Sequence, residues 1–136
     1  MMQLFQQGDF TLHSGEWSGF KIECDALTEL DWSTLAFMVS QRFVFSNAIG
    51  IPRGGLTFAD ALKPYATNRT GDPWLIVDDV LNTGGSMELE RHKLGELGMA
   101  VFGVVVFARR QCPDWIHPMF QLWPEEPVTP WKLKTV

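Results

Sequence analysis

The sequence alternates short, mostly apolar runs with stretches in which apolar residues recur at helical spacing. The apolar runs are typical of strands buried in a parallel sheet, and they cover residues 47–51, 74–77 and 101–107. The helical patterns cover residues 31–43, 56–62 and 86–97. Strand, helix and strand in this order predict right-handed βαβ units, and hence an α/β fold with a mostly parallel sheet flanked by helices.

Weaker patterns lie on either side of this core. Residues 10–13 and 20–24 alternate apolar and polar side chains around a turn-prone stretch, which predicts two short strands. Residues 119–123 predict an edge strand. The first helix is expected to begin with Asp31 as its N-cap, because aspartate at that position accepts a backbone hydrogen bond.

The length and charge of the chain narrow the choice of function. A chain of 136 residues with 46% hydrophobic and 20% charged residues predicts one globular domain, residues 1–136. No apolar run could span a bilayer and no signal segment precedes the first strand, so a cytoplasmic protein is expected. The net charge of -5 argues against a nucleic acid or an anionic membrane as partner.

The cysteine, histidine and tryptophan residues do not indicate a catalytic or metal site. Cys24 and Cys112 form no CxxC motif, and the three histidines are widely spaced, so neither a disulfide framework nor a zinc site is predicted. Tryptophan is concentrated near the end of the chain, which indicates a packed flap or a subunit interface; these residues are Trp115, Trp123 and Trp131.

The strand pattern at residues 74–77 leads into two acids, Asp78 and Asp79, and then into a short polar loop. Open α/β sheets bind ligands at the carboxyl ends of their strands, where these residues fall. The unpaired N–H groups of a helix start attract an anion, and glycine lets the backbone approach it. The pattern predicts a phosphate-binding loop made of Asn82, Thr83, Gly84, Gly85 and Ser86.

A second candidate loop follows residues 47–51. It contains Arg53, Gly54 and Gly55 and leads into a helix. Such a loop can cradle an anion, and the guanidinium of Arg53 offers paired donors to phosphate oxygens. Taken alone, the same residues would fit a surface turn with a solvated arginine equally well.

Together the acid pair and the polar loop resemble the signature of type I phosphoribosyltransferases, which bind 5-phosphoribosyl 1-diphosphate (PRPP). The resemblance implies that Asp78 and Asp79 hold the ribose hydroxyls and favour a cationic ring, and that residues 82–86 hold the 5-phosphate. It implies that Arg53, Gly54 and Gly55 grip the diphosphate, in a loop that often has a non-proline cis peptide. Mg²⁺ would be held mainly by PRPP, with Asp78 and Asp79 as its candidate protein ligands.

Two further matches point to the orotate enzymes within that family. An amino-terminal motif is matched by Phe10, Leu12, Ser14, Gly15 and Ser18. Arg109 matches an arginine that meets the carboxylate of the pyrimidine, whereas Ala108 replaces the usual aspartate. The resemblance implies transfer of phosphoribosyl to a nucleobase, specifically orotate, in pyrimidine nucleotide synthesis. It also implies a homodimer, and a small hood built from about residues 9–24 and 111–136.

Two alternatives remain open at this point. Only residues 63–73 separate the second helix from the acid-bearing strand, whereas the family generally has a long mobile loop there that closes over the substrate. A PRPP-binding regulatory module without catalysis would fit that short connection. Ala108 equally allows a transferase for a purine base.

Overall fold

A parallel sheet lies at the centre of the computed structural model, which describes residues 2–12, 15 and 17–122. The strands in this part of the chain are β1 Phe5–Thr11, β2 Trp17–Ile22, β3 Ala48–Gly50, β4 Trp74–Leu81, β5 Val101–Ala108 and β6 Ile116–Gln121. The helices are α1 Glu29–Ser40, α2 Gly54–Leu62 and α3 Gly85–Glu96. Strands β3 to β6 form the sheet in that order with every neighbouring pair parallel, while β1 and β2 pair antiparallel in a separate hairpin. This is the expected α/β architecture.

Apolar side chains are buried on both faces of the sheet. Helices α1 and α2 cover one face, where Leu75 and Val77 of β4 meet side chains from both helices. Helix α3 covers the other face, where Met87 and Leu94 pack with Ile76. Successive residues of a strand point to opposite faces, so a run of four apolar residues supplies both cores.

The acid pair lies inside a strand, where the sequence pattern had predicted that the strand would already have ended. Strand β4 continues to Leu81 because β5 pairs with it that far, with Asp78 opposite Val105 and Leu81 opposite Ala108. Backbone pairing with a neighbour does not depend on whether a side chain is apolar, so hydrophobicity alone misplaced this boundary.

Two boundaries near the amino terminus also differ from expectation. Strand β1 begins at Phe5, five residues before the predicted start, and its register with β2 shifts between Gln7 and Phe10. Asp31 as the N-cap of α1 is wrong: Thr28 is the N-cap. The Thr28 Oγ1 accepts from the N–H of Asp31 at 3.2 Å, and the Asp31 carboxylate accepts from the N–H of Thr28 at 2.8 Å. This reciprocal capping box places the aspartate three residues inside the helix.

The chain beyond β5 forms the predicted edge strand. Strand β6 lies three residues earlier than expected and runs parallel to β5. Trp115 packs onto α3, since its indole N–H donates to Glu88 at 2.7 Å and its ring faces the guanidinium of Arg91. Trp123, Trp131 and most of the predicted carboxyl-terminal hood lie outside the described residues.

The described helices are too short or too polar to cross a membrane. Both cysteines are free thiols; Cys24 is buried and Cys112 half-buried.

Candidate active site

The loop after β3 is held tightly against β4. The N–H of Ile51 donates to the carbonyl oxygen of Val77 at 2.9 Å, and the N–H of Gly55 donates back to the carbonyl oxygen of Ile51 at 2.9 Å. A Cβ on Gly55 would lie 2.6 Å from the Val77 oxygen, so only glycine fits there. Helix α2 begins at Gly54, two residues before the predicted start, and the peptide between Pro52 and Arg53 is cis.

The loop at residues 53–55 meets the acid pair. Gly54 lies directly against the carboxylate of Asp79, and a Cβ on Gly54 would overlap both Oδ2 and Cγ of that side chain. The predicted diphosphate loop and the predicted ribose-binding acid pair are therefore neighbours at the carboxyl edge of the sheet. In open α/β sheets this edge is where ligands bind.

Asp78 and Asp79 form a tightly coupled acid pair. Each carboxylate accepts a hydrogen bond from the backbone N–H of the next residue, at 2.8 Å for Asp78 and 2.7 Å for Asp79. Burial raises the pKa of Asp78 well above its ordinary value, and a hydrogen bond with Asp79 and the charge of that residue raise it further. An anionic pair of this kind can bind hydroxyl groups or a cation, and a bound cation would favour its ionised form.

Residues 82–84 form the turn between β4 and α3, and the helix begins at Gly85. Gly84 has a φ of +80°, a left-handed conformation that suits glycine. The first N–H groups of α3 have no carbonyl partner within the helix, which makes this end a suitable anion site. The amide oxygen of Asn82 is buried without a hydrogen-bond partner in the described part of the chain, a feature that the sequence did not predict.

The side chain of Arg53 projects into solvent. Its side chain is 88% exposed, and its Nη2 lies 3.5 Å from Oδ2 of Asp25. Asp25 belongs to the 3₁₀ turn Cys24–Ala26 that follows the hairpin. Sequence reasoning missed Asp25, because no local pattern links it to a loop 28 residues further along the chain.

Arg109 lies at the carboxyl end of β5 and is buried, only 6% exposed. Its guanidinium donates to the carbonyl oxygen of Phe20 at 3.2 Å and to the hydroxyl of Ser18, and it stacks over the Phe20 ring at 4.0 Å. Arg109 therefore fastens the amino-terminal hairpin to the sheet. Ser18 belongs to the motif noted in the sequence, whereas Ser14 of that motif lies outside the described residues. The base-contact role of Arg109 stays a prediction.

The connection between α2 and β4 contains no strand pair. After the 3₁₀ turn Lys63–Tyr65 the backbone is tied to the connection between α1 and β3, because the N–H of Thr67 donates to the carbonyl oxygen of Phe45 at 3.0 Å. Its two cations form local ion pairs, Lys63 with Asp60 at 2.8 Å and Arg69 with Asp72 at 3.1 Å. This segment is a short surface connection, as its length suggested.

The acid pair suits Mg²⁺ in donor type, because magnesium prefers carboxylate oxygen. Within the ranges that the structure describes, no three His, Cys, Asp or Glu side chains group closely enough to hold a metal ion. A magnesium ion here would therefore need oxygens from its ligand or from water in addition to Asp78 and Asp79.

Comparison with solved structures identifies the fold. The chain superposes on orotate phosphoribosyltransferase from Aeropyrum pernix with a TM-score of 0.68 and 22% identity, covering 88% of each chain. It superposes on UMP synthase from Leishmania donovani with a TM-score of 0.67 and 21% identity, covering 88% of this chain and 33% of that one. The orotate phosphoribosyltransferase from Mycobacterium tuberculosis gives a TM-score of 0.65 and 17% identity, covering 87% of this chain and 89% of that one.

The protein has the type I phosphoribosyltransferase fold, which it shares with these two orotate phosphoribosyltransferases and this UMP synthase. The fold implied by the sequence motifs is thereby confirmed. No protein-family model and no curated protein sequence matches the chain.

Proposed function

We propose that the protein binds PRPP and transfers its phosphoribosyl group to a nucleobase, with orotate as the acceptor, a step of pyrimidine nucleotide synthesis. The single observation that carries the proposal is the contact between Gly54 and the Asp79 carboxylate. It joins a diphosphate-type loop to a ribose-type acid pair at one edge of the sheet. The names of the solved structures with this fold support the choice of reaction and of base.

In this proposal each part of the site acts on a different part of PRPP. The backbone N–H groups of residues 82–86 hold the 5-phosphate, which aims the anomeric carbon at the base. Asp78 and Asp79 accept hydrogen bonds from the ribose hydroxyls and stabilise the positive charge that develops on the ring. Arg53 and the N–H groups of Gly54 and Gly55 stabilise the negative charge that grows on the departing diphosphate.

Magnesium fits this assignment as a cofactor that arrives with PRPP. When bound, it supplies positive charge at the diphosphate oxygens. Asp78 and Asp79 are the protein residues that would hold it, and waters and PRPP oxygens would complete its shell. Because burial and Asp79 raise the pKa of Asp78 to about 8, binding in this form requires loss of a proton from the pair at any pH below about 8.

The experiment for this proposal has two stages. Titration calorimetry with PRPP and Mg²⁺ should give saturable binding, and a coupled assay should detect consumption of orotate.

Asp79→Asn should weaken PRPP binding by about tenfold or more, since it removes a charged acceptor while keeping the shape of the side chain. The matched control is Asp114→Asn, an exposed charge before the amino end of β6, on the opposite edge of the sheet. Undiminished binding by Asp79→Asn would show that the ribose role is wrong.

A second function is favoured by the short connection between α2 and β4. Without a long loop at residues 63–73 to close over PRPP, water would have access to the anomeric carbon from this side and the rate of transfer would be low. A protein that binds PRPP and regulates a partner needs no such loop. Binding without turnover of any nucleobase supports this second function, while turnover of a purine instead of orotate supports the alternative that Ala108 allows.

Homodimer formation and a cytoplasmic location stay predictions from the sequence. The dimer is tested by the concentration dependence of the mass measured in solution.

A further inference from the structure

The cation of the proposed diphosphate loop already has an anionic partner within the chain. Arg53 Nη2 lies 3.5 Å from Asp25 Oδ2, and this ion pair joins the segment after the amino-terminal hairpin to the loop after β3. A diphosphate oxygen bound by Arg53 would make the same type of contact that Asp25 makes, because carboxylate and phosphate oxygens use the same guanidinium donors.

Asp25 is held in place by its own turn. The backbone N–H of Ala26 donates to Glu23 at 3.0 Å and that of Leu27 donates to Cys24 at 3.0 Å. The Cys24 side chain is buried; burial raises the pKa of its thiol, and the charges of Asp79, Glu23, Asp25 and Asp78 raise it further. The buried side chain of Cys24 thus anchors the turn, while the carboxylate of Asp25 faces solvent.

The ion pair can exchange with a ligand. The side chains of Arg53 and Asp25 are 88% and 64% exposed, so neither is enclosed by their contact. Exposed ion pairs of this kind contribute little free energy, whereas a diphosphate carries more charge and can bind the guanidinium through two oxygens. Water and ligand can therefore displace Asp25 without unfolding any part of the chain.

We infer that Asp25 is a specificity-determining residue that competes with diphosphate for Arg53, so that PRPP must displace it to occupy the diphosphate subsite. The inference rests on the proposed function, since it concerns the same subsite. Asp25 therefore lowers the affinity only for ligands that place negative charge at Arg53. The affinity for ligands that occupy only the loop at residues 82–86 does not change. The opposition is strongest for diphosphate without magnesium, because that form has the highest negative charge.

Titration calorimetry on the full chain at low ionic strength tests the inference with two probes. Inorganic diphosphate, with EDTA present, reports on the Arg53 subsite, and ribose 5-phosphate reports on the loop at residues 82–86. Asp25→Asn should bind diphosphate about three- to tenfold more tightly than the parent protein and bind ribose 5-phosphate equally well. The gain should shrink in 0.5 M salt, because exposed charges are screened.

Two further variants supply the controls. Asp60→Asn also removes one charge and one exposed ion pair, but its partner Lys63 lies at the far end of α2. It should leave diphosphate affinity within about twofold of the parent. In an Arg53→Ala background, most of the gain from Asp25→Asn should be lost, because the group for which Asp25 competes is absent.

The outcomes separate this inference from the function on which it rests. Weaker diphosphate binding by Asp25→Asn would mean that Asp25 positions Arg53, which overturns the competition. An equal gain from Asp60→Asn, or an undiminished gain without Arg53, would overturn it as well. If the parent protein binds neither probe nor PRPP, the proposed function fails and the inference fails with it.

Discussion

At the scale of single residues, the site depends on glycines, whose lack of a side chain allows close contacts. Gly54 and Gly55 allow the loop after β3 to lie on β4, and Gly54 leaves just enough space for the Asp79 carboxylate. The acid pair adds a second local feature, a half-buried carboxyl whose pKa is raised. Both features can be tested by changing a few atoms.

Gly54→Ala should damage the site more than the fold. The added methyl group would overlap the Asp79 carboxylate, so either the loop or the carboxylate must move. We expect a loss of about 1 to 3 kcal/mol in the free energy of unfolding, as in other overpacked sites, and at least tenfold weaker PRPP binding by calorimetry.

The matched control is Gly95→Ala in α3, where a Cβ meets open space. The control should raise the free energy of unfolding by about 0.5 to 1 kcal/mol. Parent-like PRPP affinity in Gly54→Ala would contradict the proposed arrangement.

Asp78→Asn should stabilise the protein in a pH-dependent way. A carboxyl whose folded-state pKa is raised contributes stability that is fully present below its unfolded pKa of about 3.9 and is lost as pH rises through the folded-state pKa. Asparagine keeps an acceptor for the N–H of Asp79 but never ionises. Its advantage over the parent in urea unfolding without metal should therefore grow from pH 4 upward, to about 1 to 3 kcal/mol at pH 8 to 9.

The exposed Asp114→Asn serves as the control for this measurement and should show no such trend. A difference between Asp78→Asn and the parent that stays constant from pH 4 to 9 would mean that Asp78 titrates like an ordinary surface acid.

At the scale of elements, hydrophobic patterning predicted every strand of the parallel sheet and all three helices that the structure describes. Their boundaries were less predictable, because partners distant in sequence set them. Pairing with β5 carries β4 through the two acids, and the capping box moves the start of α1 away from Asp31. The position of the hairpin β1–β2 also depends on a residue distant in sequence, because Arg109, about 90 residues later, fastens it to the sheet.

Arg109→Met should loosen that hairpin. Methionine has a similar length but no donors, so the carbonyl oxygen of Phe20 and the hydroxyl of Ser18 would lose a charged hydrogen-bond partner. We expect the free energy of local opening of β1 and β2, measured by hydrogen exchange, to fall by about 2 kcal/mol. Exchange in β4 and β5 should change much less.

Lys21→Met on β2 is the matched control, because Lys21 is half-exposed and pairs only with nearby Glu23 among the contacts described. It should leave hairpin protection nearly unchanged. Equal loss of protection in the two variants would show that Arg109 has no special part in docking the hairpin.

At the scale of the whole molecule, the order of strands and helices was enough to predict a shared ligand edge. Parallel strands end on the same side, so the loops after β3 and β4 had to be neighbours once those strands paired. The competition of Asp25 for Arg53 and the burial of Arg109 could not be predicted, because each depends on how the hairpin docks. The likeness to solved orotate phosphoribosyltransferases covers 88% of the chain at 22% identity, so the fold is shared while the side chains largely are not.

The central claim is that residues 53–55 and 78–86 bind one phosphorylated pentose together. A crystal structure of the protein grown with PRPP and Mg²⁺ tests it most directly. The account predicts the 5-phosphate on the backbone N–H groups of residues 82–86, the ribose hydroxyls on the acid pair, and the diphosphate on Arg53 with Asp25 displaced. Density for PRPP away from either loop, or a diphosphate that makes no contact with residues 53–55, would contradict it.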